Sequence, residues 1–225
     1  MSKLRKAILS SNFLAIVISG GKTDEWSQCY LLLWTPKQQC RLPAIPLPYP
    51  FYDWFGHTIN WIDNTELVAC TSLGVDSVGS SKCVQFSNGE LKNQIQLQGR
   101  SFHTSAVIGN YVLLEGGYDL DRSSTNITYS STIYVDAKGN DTFEGPPMTR
   151  GRAMHCSVQV DSSTIVLTGG VSSNINESIS SVVQYSQVAV GNSPTSTKLP
   201  DLNRARANHA CGCFKLPNGK NFEKV

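Results

Sequence analysis

Four histidines, His57, His103, His155 and His209, are this 225-residue chain's best candidates for metal ligation or proton transfer. They stand 46, 52 and 54 residues apart, in Gly56-His57-Thr58, Phe102-His103-Thr104, Met154-His155-Cys156 and Asn208-His209-Ala210. Equivalent positions in successive units can converge on one axis, so a shared ion is one chemistry this spacing permits. A metal needs its ligands within about 2.1 Å, however, and four side chains on separate units seldom meet so closely. The expectation is that each imidazole ties down the start of an inner strand by hydrogen bonds, without a cofactor. The cysteines do not suggest zinc either: no C-x₂-C pair occurs, and Cys211-Gly212-Cys213 has the wrong gap. There is no G-x-S-x-G nucleophile elbow and no phosphate-cradling glycine loop. Asp119, Asp121, Glu144 and Glu177 fall in expected loops, where a solvated surface role is the default. The chain therefore reads as a non-enzyme with no catalytic residue.

The elements that position these histidines recur with them. After three of them an apolar strand runs to a glycine: Leu67 to Gly74, Tyr111 to Gly117, and Thr164 to Gly170. A fourth such strand, Phe13 to Gly21, has no histidine before it. A period near 50 residues is that of propeller blades. Each unit reads as four short strands: one after the histidine, one ending at the glycines, one after a polar loop, and a short last one. Segments such as Leu42-Pro43-Ala44-Ile45-Pro46, Pro146-Pro147-Met148 and Leu199-Pro200-Asp201-Leu202 precede the next histidine. Proline suits such links because it cannot donate into a central ladder. No helical periodicity is sustained over eleven residues, so the chain is expected to be all-β. The blades fall at about 5–51, 52–99, 100–151 and 152–205, with a partial fifth at 206–225.

These features resemble the kelch repeat family. Gly20-Gly21, Gly116-Gly117 and Gly169-Gly170 look like its double glycine, and Tyr30, Tyr134 and Tyr185 like its downstream aromatic. The second unit departs, with Leu73-Gly74 and Phe86 in those places, and the family's usual tryptophan is mostly absent. Cys40-Arg41-Leu42-Pro43, the Cys70 to Cys83 segment and Leu199 through Cys211 are closest in type to divergent, cysteine-containing extracellular kelch proteins of marine invertebrates. The resemblance implies a kelch-type β-propeller of about four four-stranded blades plus a partial fifth, which reads as a fragment of a larger propeller. An unclosed arc leaves two bare sheet edges, which invite self-association. The alternative is a carbohydrate-active or galactose-oxidase-like propeller enzyme, since galactose oxidase shares the repeat type, but no copper-ligand constellation can be matched here residue by residue. A ubiquitin-ligase substrate adaptor would carry further domains that are not seen.

Seven cysteines and three sequons bear on the compartment. Cys70 lies on the second strand of its unit and Cys83 opens the third, so they are a candidate disulfide. Cys29 and Cys40 bracket the third and fourth strands of the first unit in a similar way. Cys156 and Cys211 follow equivalent histidines on adjacent units, which makes a bridge between units conceivable and leaves Cys213 over. Asn126, Asn140 and Asn176 each begin an N-x-[ST] sequon in an expected loop. Together these favour an extracellular protein or a membrane-protein ectodomain. The basic start at Lys3, Arg5 and Lys6 is followed by an interrupted apolar stretch, which reads as a strand rather than a signal peptide and keeps a cytoplasmic alternative open.

A net charge of +2, with basic residues scattered, argues against a nucleic-acid partner. No window supplies the ~20 apolar residues of a membrane helix. The expected function is a non-catalytic scaffold that recognises a protein or glycan through its loops. Tyr118, Asp119, Asp121, Arg122, Asn174 and Glu177 are the candidate contact residues.

Overall fold

The computed structural model describes residues 14–19, 29–35, 38–41, 55–63, 66–72, 81–87, 90–97, 99–119, 127–138, 141–172, 178–186, 188, 191 and 195–212. Gly20, Gly21, Gly74, Asp121, Arg122, Asn126, Asn140, Asn174, Asn176, Glu177 and Cys213 lie outside these residues.

The described residues are all-β and propeller-like. Sheet I holds β1 (Leu14–Ser19), β2 (Cys29–Thr35) and β3 (Gln38–Arg41), in that order. Sheet II is a four-stranded meander of β4 (Phe55–Trp61), β5 (Glu66–Ser72), β6 (Ser81–Ser87) and β7 (Glu90–Leu97). Sheet III begins with β8 (Thr104–Ile108) and β9 (Tyr111–Glu115). A short hairpin of β10 (Tyr118–Asp119) and β11 (Ile127–Thr128) follows, before β12 (Thr132–Asp136) and β13 (Thr142–Glu144) complete the sheet. Sheet IV is β14 (Cys156–Asp161), β15 (Thr164–Thr168), β16 (Val182–Ser186) and β17 (Thr195–Leu199). All pairings within the sheets are antiparallel. Among the described residues no helix is long and apolar enough to cross a membrane.

The first strands β4, β8 and β14 touch one another in succession, so the sheets stack face to face around a common axis. This explains the unbroken apolar run Tyr111-Val112-Leu113-Leu114. A strand packed on only one face would alternate apolar with polar, whereas one covered on both faces is apolar throughout. Val112, Leu114 and Val135 point towards sheet II, where they join Val68, Cys70, Cys83 and Ile95. Tyr111, Leu113 and Tyr134 turn the other way and pack with Ile165, Leu167, Val183 and Tyr185 of sheet IV. Leu113 and Leu114 are fully buried, each contributing about 2 kcal/mol of burial. Two apolar seams, one on each face of sheet III, hold the stack together.

Cys70 and Cys83 stand directly opposite each other in the β5–β6 ladder and are joined by a disulfide across a Cα separation of 4.0 Å. A second disulfide, Cys156–Cys211, ties β14 to the segment that follows sheet IV. The backbone register sets Cys29 opposite Ser19 and Cys40 opposite Leu33, so these two are not a directly facing pair.

Candidate binding face around the axis

The residue before each histidine is a backbone hinge. Gly56, Phe102, Met154 and Asn208 all take positive φ, between 52° and 63°. That region is strained for a side chain with a Cβ, and persists only where surrounding contacts impose it. Here the contact is a chain of backbone hydrogen bonds around the axis. The Phe102 amide donates to the Gly56 carbonyl at 2.9 Å, Met154 to Phe102 at 3.0 Å, and Asn208 to Met154 at 2.9 Å. Phe102, Met154 and Asn208 thus lock sheet III, sheet IV and the segment after sheet IV each to the unit before it.

The histidines are placed by this hinge and fastened by hydroxyls. His103 Nε2 lies 3.0 Å from Thr58 Oγ1 of sheet II. His155 Nε2 lies 2.7 Å from Thr104 Oγ1 of sheet III, and His209 Nε2 is 2.7 Å from Thr168 Oγ1 of sheet IV. Each bond crosses from one unit to the next. Burial pushes the His103 imidazole down to about 3, and the nearby Arg100 guanidinium pushes the same way. His155 is held well below its ordinary value, first by burial and then by Arg152. Both are neutral at physiological pH, as a hydrogen-bonding staple requires. Among the described residues no group of three or more His, Cys, Asp or Glu side chains gathers where a metal ion could sit.

An arginine three residues before the histidine completes the motif. The Arg100 guanidinium donates to the Gly116 carbonyl at 3.0 Å, the Ser131 carbonyl at 3.1 Å and Ser131 Oγ at 2.9 Å. Arg152 repeats this on Gly169 and Ser181. Both are almost wholly buried at 1 % exposure, so these bonds replace their water. Arg206 occupies the same position before His209 but is exposed. The signal is legible as Arg-small-x-His, in Arg100-Ser101-Phe102-His103, Arg152-Ala153-Met154-His155 and Arg206-Ala207-Asn208-His209. That fixed distance from the histidine is the signal by which the sequence marks these arginines.

The double glycines are wedged between two such motifs. A Cβ on Gly116 would come within 2.2 Å of the Arg152 carbonyl oxygen, and one on Gly169 within 2.5 Å of that of Arg206. The second glycine of each pair uses the same carbonyl: Gly117 donates to Arg152 at 2.9 Å, and Gly170 to Arg206 at 2.8 Å. All four glycines have positive φ. Glycine is thus required on two counts, its conformation and the approach of the next unit's backbone.

Beyond the glycines the chain does not turn straight into a loop. Tyr118 pairs with Ser101 and with Thr128, and Val171 pairs with Ala153 and Ser178. Short ribbons therefore extend beyond the glycines, pairing Tyr118 with Thr128 and Val171 with Ser178. Tyr118 is 4 % exposed and packs with Ala153 and Val171, flanked by Phe102, Met154 and Ala207. Its ring meets Phe102 edge-on at 6.3 Å. The expectation that Tyr118 is an exposed contact residue is corrected: it supports the ribbon from below. Asp119 shares β10, while Asp121, Arg122, Asn174 and Glu177 lie outside the described residues, as do the three sequon asparagines.

Between sheets III and IV sits a buried carboxyl. Glu115 has no exposure, and its Oε2 accepts from Thr104 Oγ1 at 2.7 Å. Burial raises its pKa from 4.5 to about 7, against the opposing pull of Ser157, Thr104 and the Arg152 guanidinium. Thr104 has one proton and two partners, Glu115 and His155. Either His155 carries its proton on Nε2 or Glu115 is protonated. The trio of carboxyl, hydroxyl and imidazole superficially matches a hydrolase triad, yet Glu115 is sealed beneath both sheets. It also borders a small pocket lined by Leu113, Thr132, Met148, Ile165 and Tyr185.

No known family's sequence profile matches the chain, and no curated protein matches it by sequence. Among solved structures it is similar to one described as the structure of YjhT, with a TM-score of 0.62 at 14 % identity. The superposition covers 80 % of this chain and 60 % of YjhT, so the chain spans about three-fifths of that protein's length. At this identity the likeness concerns fold alone.

Proposed function

We propose that the chain is a kelch-type propeller scaffold without catalytic activity, which binds a protein or glycan through its inter-strand loops. The single observation behind this reading is how the chemically capable side chains are used. His103, His155 and His209 bond to threonines of the preceding unit, and Arg100 and Arg152 bond to backbone carbonyls. The histidines thus join one repeat to the one before it and the arginines brace their own repeat, which leaves recognition to the segments 120–126 and 173–177. In this reading residues 206–225 open a fifth blade, and the chain belongs to a larger ring or associates with a second copy. The two disulfides are compatible with an extracellular protein, where oxidising conditions preserve them. Asn126, Asn140 and Asn176 then carry glycans.

The test is a binding screen of the purified, secreted protein on glycan and ectodomain arrays. It is paired with the loop variants Asp121→Ala/Arg122→Ala and Asn174→Ala/Glu177→Ala and with elemental analysis. Saturable binding that these variants abolish, at unchanged melting temperature, is the expected result. Stoichiometric copper or zinc, or binding indifferent to both loops, would overturn the proposal.

A further inference from the structure

The two disulfides occupy different kinds of place. Cys70 and Cys83 are both fully buried within one sheet, thirteen residues apart in sequence. Cys156 and Cys211 are each partly exposed and join consecutive repeats, 55 residues apart. The position of Cys156 is informative. It directly follows His155, where Thr58 follows His57 and Thr104 follows His103. Those threonines fasten the next unit's histidine. At the third junction the slot holds a cysteine, and Thr168, opposite it on β15, takes over the contact to His209. The covalent bond has been added at the one described junction whose arginine is exposed rather than buried.

We infer that Cys156–Cys211 is a reducible latch, which holds segment 206–212 against sheet IV and lets it go when a dithiol reductant opens the bond. One thiolate of the reductant attacks Sγ of either cysteine and forms a mixed disulfide as the other Sγ leaves. The second thiol of the reductant then displaces the remaining cysteine, giving two protein thiols and an oxidised reductant. After opening, four hydrogen bonds among the described residues hold the segment: Gly170 to the Arg206 carbonyl, Asn208 to the Met154 carbonyl, His209 to Thr168, and a long Arg206 to Ile179 bond at 3.4 Å. Ala207 packs beneath Tyr118 and Val171, so the latch controls the floor of the axial face as well. Sheets II to IV keep both apolar seams and are not released.

The experiment treats the full chain, in a Cys213→Ser background, with graded dithiothreitol under native conditions. Samples are quenched, alkylated and mapped by mass spectrometry, with hydrogen exchange followed in parallel. Cys156 and Cys211 should be labelled at least about tenfold faster than Cys70 and Cys83, because exchange needs access to sulfur. Exchange of residues 206–212 should rise with that labelling, while β8, β9 and β15 stay protected. Opening of both bridges at one common rate overturns the inference, as does opening of Cys156–Cys211 with 206–212 still protected. Cys211→Ser should show the same exposure without reductant; if that variant fails to fold, the reduction of the unsubstituted bridge decides.

Discussion

Replacing Glu115 by glutamine isolates the electrostatic cost of the III–IV seam. Glutamine keeps the shape and an oxygen for Thr104, and it removes only the ionisation. The native pKa of about 7 exceeds the ordinary 4.5, so between those values the folded chain holds a proton that the unfolded chain has lost. Stability attributable to Glu115 is then fully present below about 4.5 and falls as pH rises towards 7. The loss amounts to about 3 kcal/mol in total, close to 1.4 kcal/mol per pH unit. His103 and His155 act in the opposite direction. Their folded values are depressed, so their contribution is present above about 6.5 and lost in acid. Both proteins share those histidines, and the difference between them cancels that part. Denaturant unfolding of wild type and Glu115→Gln at half-unit steps from pH 4 to 8.5 is the assay. The variant's advantage should grow from near zero at pH 4.5 to about 3 kcal/mol above pH 7 and then level off. A difference that is flat with pH, or one favouring wild type at pH 8, would refute the account of an ionised, desolvated carboxylate.

Three further outcomes concern a junction glycine, a buried arginine and the disulfide within sheet II. Gly169→Ala should cost more than 3 kcal/mol, roughly, since it adds left-handed strain to a clash with the Arg206 carbonyl, whereas Gly191→Ala, with open space around it, should cost only about 1 kcal/mol; thermal melts compare the two. Arg152→Met should destabilise by about 3 kcal/mol because it strands the Gly169 and Ser181 carbonyls, and Arg152→Lys should recover only part of this, lacking the planar fork; urea midpoints read both. Replacing Cys70 and Cys83 together by alanine should lower stability by about 3 kcal/mol with the fold retained, as judged by circular dichroism and urea titration.

The parts of this architecture that show in the sequence are those carried by side-chain identity. Every histidine sits at one phase, and Gly116-Gly117 and Gly169-Gly170 announce a backbone that other residues cannot follow. Leu113 and Leu114 give an apolar run because sheet III is covered on both faces. The hinge was hidden because Gly56, Phe102, Met154 and Asn208 share a conformation and no chemistry; only glycine and asparagine hint at positive φ. The arginine motif was obscured by its first instance, where Trp54 stands in the arginine's place. Tyr118 was misread because a double glycine normally signals a turn, whereas here the chain resumes pairing with Ser101 immediately afterwards. Glu115 carried no signal at all, since a carboxylate at the end of an apolar strand looks like the first residue back in water.

The amide-to-carbonyl chain through Phe102, Met154 and Asn208 runs in one direction. Among the described modules, Gly56, Phe102 and Met154 each present an acceptor to the successor, and Phe102, Met154 and Asn208 each spend a donor on the predecessor, so a newly synthesised module finds its docking point already made. A duplicated cassette of this kind would bring both halves of the joint with it. The coupling itself is silent on how many modules are strung together; that number is left to the curvature of the stacked sheets.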